Sequence, residues 1–311
     1  MLDKKEACKY LEGVCAALDK NEQYQKFKIY KDKVLALGND SLEKTIAIAV
    51  ALCLVCAVLV SFAAVALKPL QVNNKAADMK KNILDVAGLL EDGANIDKAF
   101  AEKIEAKIVD LETGDYVENI NADEFDQRKA AKDPAQNVAI PKDKDIAHIR
   151  VKAKYAKVFL VKESGALKSI ILPMHGYGLW STLYGFLSID ADGQTVQSIN
   201  FYDQAETPGL GGEVVNPNWR ALWKGKKVYA ETDQPSLDKG LITEADKGEA
   251  ALSLIKGSVD NTRPGSQYQV DGLAGATLTS NGVTNLVRYW MGKEGFSPYL
   301  KKVRIVKGVK S

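Results

Sequence analysis

The chain has 311 residues, 46% of them hydrophobic and 26% charged, and a formal net charge of +2 from 42 basic and 40 acidic side chains. So even a balance leaves no surplus of cations to neutralise a phosphate backbone, which sets nucleic acid aside as a partner. The cysteines are Cys8, Cys15, Cys53 and Cys56, so the body that follows holds neither a disulfide nor a thiolate metal site, and it is large enough to bury a core without either.

Residues 1–44 read as an N-terminal extension of one or two short helices, with Leu11, Val14, Cys15 and Leu18 at helical spacing. Thr45 to Leu67 then carries no charge and is bracketed by Glu43, Lys44 and Lys68. At about 1.5 Å per residue such a helix crosses a hydrocarbon core of about 30 Å. A cleaved signal peptide would have a shorter apolar stretch and no long segment ahead of it, so 45–67 reads as a retained transmembrane helix. Cys53 and Cys56 share one face of it and are read as packing residues, since two thiols alone do not close a metal site. Lysines crowd both ends of the span (Lys26, Lys28, Lys31, Lys33 and Lys44 before it, Lys68, Lys75, Lys80 and Lys81 after it), so positive charge decides little about orientation.

Residues 68–150 form a helical and mixed membrane-proximal region. The pattern predicts helix over 72–106, with Ile83, Leu84, Val86, Ala87 and Leu90 on one side. From 151 to 311 strands dominate: Val151 to Val161, Ser169 to Pro173, then Thr182 to Ile189 and Val196 to Tyr202 around the turn signal Asp192-Gly193. Residues 251–256 read as a further strand. A helix from about Asn281 to Met291, stopped by Gly292, closes the pattern. The fold class expected is α+β: one N-terminal transmembrane helix, then a soluble domain with a mainly antiparallel sheet and flanking helices.

The chemistry concentrates in Asp271-Gly-Leu-Ala-Gly-Ala-Thr277-Leu-Thr-Ser-Asn281. Gly272, Gly275 and Ala276 leave the backbone beside Thr277 open to a bulky group. A helix follows at once, with Thr279, Ser280 or Asn281 as its cap, and a helix N-terminus suits a phosphate. Val283, Leu286, Val287 and Trp290 give that helix a buried face. On the residues alone, a Gly-rich loop with an N-cap is the favoured reading of the segment, because such loops are common. A second loop, Gln204-Ala-Glu206-Thr207-Pro-Gly-Leu210-Gly-Gly-Glu213, lacks both the G-x-G-x-x-G spacing of a dinucleotide fold and the Gly-Lys-Ser/Thr of a P-loop. His148 and His175 have no ligand spacing around them. Asp190-Ala-Asp192-Gly193 is no calcium loop, because its glycine comes too early and Phe201 stands at the terminal acid position.

The first loop resembles the flavinylation motif of the bacterial FMN-binding domain family. In that family an acid precedes a Gly-Ala-Thr triplet, and a flavin transferase joins FMN to the threonine through a phosphoester. Asp271 matches the acid, Gly275 and Ala276 the small pair, and Thr277 the acceptor, while Ala274 stands where the family has Ser or Thr. Loop 204–213 resembles the family's flavin-pocket loop. Asp110 to Asp115, Phe125 to Asp133, Gly178 to Tyr184 and Asn216 to Trp219 are similar to the C subunits of the sodium-translocating NADH:quinone oxidoreductases. A related flavin subunit occurs in Rnf-type electron-transport complexes. Residues 1–40 fall outside the likeness. The resemblance implies a covalent FMN at Thr277, with Trp180, Glu206, Thr207 and Leu210 in its pocket. It implies an electron-relay role beside other subunits of a membrane complex, with NADH oxidised elsewhere, and a flavin transferase as maturation partner. It also places residues 1–44 in the cytoplasm, the helix in the lipid of the bacterial inner membrane, and the C-terminal domain on the outer, periplasmic side. The alternatives are the Rnf-type subunit and a non-redox, membrane-anchored assembly subunit.

Overall fold

The computed structural model of the chain describes residues 22–230 and 249–308, apart from Asn39, Asp92 and Ala94. The helical reading of Leu11 to Leu18 lies outside those residues, as do Cys8 and Cys15. The chain divides into two units, residues 1–74 and 75–311.

In the first unit, helix α1 (Glu22–Ala36) precedes helix α2 (Leu42–Val86), whose 45 residues run on across the division. Ser41 opens α2 by accepting the Lys44 N–H at 3.2 Å, as an N-cap serine does. The uncharged stretch predicted from Thr45 to Leu67 is entirely helical, and its most apolar window is 0% buried within the chain. Among the described residues one helix is therefore long and apolar enough to cross a membrane. Cys53 and Cys56 are free and exposed on it. The packing expected of them is not made within the described chain, because no other described element covers that face.

The second unit corrects the reading of 72–106 as one helical region. Helix α2 stops at Val86 because Gly88 turns left-handed, with φ +67. The Leu89 N–H then reaches the Leu84 carbonyl at 2.9 Å and the Gly88 N–H reaches that of Asp85 at 3.0 Å, a glycine C-cap that ends the helix. Helix α3 (Ile96–Lys103) restarts behind the cap Asn95. Ile104–Asp110 is strand β1, where antiparallel pairing in the sheet overrides the helical pattern. Leu90, counted on the buried side, is 39% exposed because it lies past the cap.

Helix α4 (Gln127–Ala130) and a short ribbon of β2 (Asn137–Ala139) with β3 (Val151–Ala153) follow. The long run predicted from Val151 is thus broken after Ala153, and strand β4 begins at Tyr155 and ends at Glu163. Strands β5 (Ala166–Tyr177), β6 (Thr182–Asp190) and β7 (Val196–Asp203) complete a five-stranded sheet in the order β1-β4-β5-β6-β7, every neighbour antiparallel. The turn at Asp192-Gly193 is as predicted, with Gly193 at φ +73.

Strand β5 outruns the predicted Ser169 to Pro173. Pairing with β4 ends at Ile171, while pairing with β6 continues to Tyr177↔Thr182. Pro173 therefore sits where β5 has lost one neighbour and a missing N–H is tolerated. The end of this hairpin that runs past β4 carries the turn Gly178 to Ser181.

Both sheet faces are covered. On one, Ile83, Leu84 and Val86 of α2 meet Phe159, Val161, Ile171 and Phe186, with Phe100 of α3 against them. Arg220 ties this side down through Asp85 at 2.5 Å and the Ile199 carbonyl at 2.6 Å. On the other face lies helix α6 (Thr277–Met291), whose Val283, Leu286, Val287 and Trp290 are buried with Leu172, Met174, Leu183 and Leu187. Between β7 and α6 the chain forms a 3-10 turn (Gly211–Val215), helix α5 (Pro217–Ala221) and two short parallel strands, β8 (Ser253–Ile255) and β9 (Gln269–Asp271); helix α7 (Ser297–Gly308) ends it. The result is the expected α+β domain with a mainly antiparallel sheet.

Leu286 is 0% exposed at the centre of the α6 interface. Leu286→Ala is expected to lower the unfolding free energy of the chain by about 2–5 kcal/mol, read as a shifted midpoint in chemical denaturation. An unshifted midpoint would mean that α6 is not packed on the sheet.

Candidate functional site

Helix α6 begins at Thr277, four residues earlier than its sequence pattern suggests, and so Thr277 is its first residue. The residue before it, Ala276, contributes no side-chain cap. None of Thr279, Ser280 and Asn281 is the cap, which corrects the sequence reading: all lie inside the helix. The first helical bond runs from the Ser280 N–H to the Ala276 carbonyl at 2.9 Å, so the N–H groups of Thr277, Leu278 and Thr279 have no helical acceptor. They surround an exposed Thr277 at the positive end of the helix dipole.

The loop leading there is held from within. The Leu273 N–H donates to Ser280 Oγ at 2.9 Å, and the Ala276 N–H to the Leu273 carbonyl at 3.1 Å. Gly275 takes φ +72, a conformation that glycine adopts without strain. The Asp271 carboxylate accepts the Val259 N–H at 2.8 Å, and its carbonyl accepts the Trp219 indole N–H at 2.9 Å. Asp271 thus braces the loop, and its side chain is occupied by the chain itself.

The facing loop follows β7. Its Thr207 carbonyl accepts the N–H of Leu210 at 3.1 Å and of Gly212 at 2.9 Å, which folds Glu206 inward. Glu206 is 5% exposed. Its Oε1 accepts the backbone N–H groups of Leu179, Trp180 and Ser181 at 3.0, 2.9 and 3.3 Å. Its Oε2 accepts the Thr279 hydroxyl at 2.7 Å. A Cβ on Gly178 would lie 2.5 Å from Glu206 Oε1, and one on Gly211 2.5 Å from the Thr279 hydroxyl. A Cβ on Gly282 would lie 2.5 Å from the Tyr177 carbonyl. Burial by itself would raise the Glu206 carboxyl, but the Thr279 hydroxyl and the three N–H donors outweigh it and hold the group below its ordinary range.

The sequence-derived residues therefore assemble. Thr277, Gly275 and Ala276 lie at the helix start, and Leu210 stands against Gly275, where a Cβ would come within 3.0 Å of Leu210 Cδ2. Trp180 rides on the turn that Glu206 holds. Thr207 is exposed beside it. Large apolar side chains lie open here: Trp180 is 66% exposed, Leu278 60% and Leu210 44%. The contribution of Thr279, 73 residues from Glu206 in sequence, had no local signal. Elsewhere, His148 and His175 line a cavity of about 340 Å³ with Arg128, Tyr184 and Tyr202. Burial, with the Arg128 charge adding to it, lowers the His175 pKa to about 4. Among the described residues no three His, Cys, Asp or Glu side chains are grouped to hold a metal ion.

An exposed hydroxyl beside open helix N–H groups suits a phosphate. Exposed Trp, Leu and Leu side chains around glycines that give close access suit a planar ring, so the residues fit a flavin mononucleotide.

Residues 178–292 match the FMN-binding domain family, a stretch that opens at the turn held by Glu206 and closes at the end of α6. That part of the chain is thus similar to an FMN-binding domain. The chain is 45% identical over 270 residues to the C subunit of the Na(+)-translocating NADH-quinone reductase of Vibrio alginolyticus, covering 87% of this chain and 98% of that protein. It is 46% identical over 270 residues to the subunit of that name from Pseudomonas aeruginosa, covering 86% and 98%. Among solved structures, Shewanella oneidensis NqrC superposes with a TM-score of 0.65 at 32% identity, covering 75% of this chain and 99% of that one. The corresponding C subunit from Parabacteroides distasonis superposes with a TM-score of 0.53 at 26% identity, covering 76% and 96%. The chain belongs to the family of C subunits of the sodium-translocating NADH-quinone reductases.

The lowered Glu206 carboxyl links the site to pH. Because its folded pKa lies below the ordinary glutamate value of 4.5, its stabilisation is complete above that value and is lost as pH falls through the folded pKa. Glu206→Gln is expected to lower stability by about 1–3 kcal/mol near neutrality. The gap between the two proteins should then narrow steadily in denaturation series taken below about pH 4.5. A gap that stays constant down to the acid limit would show that the charge on Glu206 contributes nothing.

Proposed function

We propose that this chain is the membrane-anchored electron-relay subunit of a sodium-translocating NADH:quinone oxidoreductase, carrying FMN as a phosphoester on Thr277. The observation that carries the attachment is the position of Thr277: an exposed hydroxyl at the first position of α6, among N–H groups without helical acceptors. FMN held there supplies reversible redox chemistry. The chain itself does the holding. The open end of α6 faces the phosphate, Gly275 and Ala276 keep the approach clear, and Trp180, Thr207 and Leu210 line the shelf that Glu206 and Asp271 brace.

Other subunits of the complex exchange electrons with this site, and a flavin transferase loads it. The missing G-x-G-x-x-G spacing in loop 204–213 supports placing NADH oxidation on another subunit. In this reading residues 1–44 are cytoplasmic, 45–67 lie in lipid, 68–150 form the membrane-proximal region, and 151–311 are the FMN-binding domain, outside the cytoplasm.

Thr277→Val keeps a branched side chain and deletes the acceptor oxygen. Made alongside an active flavin transferase, the variant should yield a peptide of unmodified mass where the wild type carries the mass of FMN, and its complex should lose quinone reduction. Because Thr277 is not a cap residue, the thermal midpoint should change little. A variant complex that turns over quinone at the wild-type rate would defeat the relay reading, and an unmodified wild-type peptide would defeat the attachment. For topology, protease added to intact spheroplasts should cut exposed loops of residues 75–311. Protection until the cells are lysed would reverse the orientation.

A further inference from the structure

Glu206 is buried, yet both its oxygens already have partners from this chain: three backbone N–H groups on one, the Thr279 hydroxyl on the other. Among the described residues no Lys, Arg or His makes an ion pair with it, and the Thr279 hydroxyl and three backbone N–H groups offset its burial. The charge is therefore retained, close to the positive end of α6, where a negative group is favoured. The three segments it joins are the ones that present the shelf. The turn 179–181 carries Trp180, the loop containing Glu206 carries Thr207 and Leu210, and the start of α6 carries Thr277. Gly178 and Gly211, where a Cβ would come within 2.5 Å of the network, leave no room for a side chain between them.

We propose that Glu206 is a positioning residue rather than a flavin ligand: one buried carboxylate clamps the three shelf segments together and places a fixed negative charge near the start of α6, where Thr277 would carry the flavin. This rests on the reading that FMN is carried at Thr277. The clamp keeps Trp180 and Leu210 at the sides of Thr277. The charge opposes added negative charge on the flavin and so favours its oxidised form.

The test separates clamp from charge. Glu206→Gln keeps an oxygen for the three N–H groups and a donor for Thr279 Oγ1, but removes the charge. Glu206→Ala removes both. Thr279→Val removes one arm of the clamp and keeps the charge. In full-length chain made without flavin transferase, limited proteolysis within 204–212 should be at least about tenfold faster in Glu206→Ala than in wild type, since the abandoned N–H groups favour opening. Glu206→Gln, which keeps the partners but loses the charge-assisted strength of the bonds, should fall between the two. In flavin-loaded chain, Glu206→Gln should shift the midpoint potential of the flavin upward, and Thr279→Val should leave it in place. Equal cleavage of Glu206→Ala and wild type would overturn the clamp. Equal potentials for Glu206→Gln and wild type would overturn the electrostatic role. Wild-type chain bearing no FMN at Thr277 despite an active transferase would refute the attachment and with it the electrostatic role, and the cleavage rates would still decide the clamp.

Discussion

A carboxylate taken out of water without a cation beside it must be satisfied by hydrogen bonds, and every such bond constrains the backbone that supplies it. At Glu206 those donors come from the turn after β5 and from Thr279 of α6, while the carboxylate comes from the loop after β7. Much of the local shape follows. Gly178 and Gly211 are glycines because the carboxylate and its partner fill the space where a Cβ would go. Gly282 is a glycine because α6 lies on the Tyr177 carbonyl, at the strand end that leads into the held turn.

The sheet explains why this happens at one end of the domain. Its two faces are both covered, by the end of α2 with α3 on one side and by α6 on the other, and the candidate site is built where strands give way to loops. Strand β5 and its partner β6 extend past the last β4 pair, and their turn reaches the start of α6. The site is thus assembled from loops whose roots are rigid: a strand end, a strand end and a helix buried along Val283, Leu286, Val287 and Trp290. Open Trp180, Leu210 and Leu278 side chains would be unusual as a cluster on a free surface. In the function proposed they would flank a planar, partly apolar group.

Two residues of the segment Asp271 to Asn281 illustrate how the same sequence feature takes a different meaning in three dimensions. Asp271, the acid of the motif, is engaged by Val259 and, through its carbonyl, by Trp219. Ser280, a natural cap residue, receives the Leu273 N–H from inside the helix. Hydroxyls and carboxylates in such loops serve whichever unsatisfied N–H lies nearest, and proximity is a property of the fold.

Read by itself, the sequence determined what is local. The apolar helix from Thr45 to Leu67 follows from an unbroken run without charge. The β6–β7 hairpin follows from two strand-like runs flanking the turn signal Asp192-Gly193, and the buried face of α6 from its 3.6-residue period. The Asp271 to Thr277 motif was legible because its glycines, acid and threonine are contiguous. Other local signals were overridden: the helix predicted through residue 106 yields to the Gly88 cap and to strand β1, whose pairing with β4 from Ile104↔Val161 to Asp110↔Tyr155 is not written in either segment alone. Only the tertiary structure decided the start of α6 at Thr277, the length of β5, and the meeting of Glu206 with Thr279 and the 179–181 turn. The physical reason is range. Helix period and turn chemistry act over a few residues, whereas a buried carboxylate is satisfied by donors that chain folding brings to it from 73 residues away in sequence.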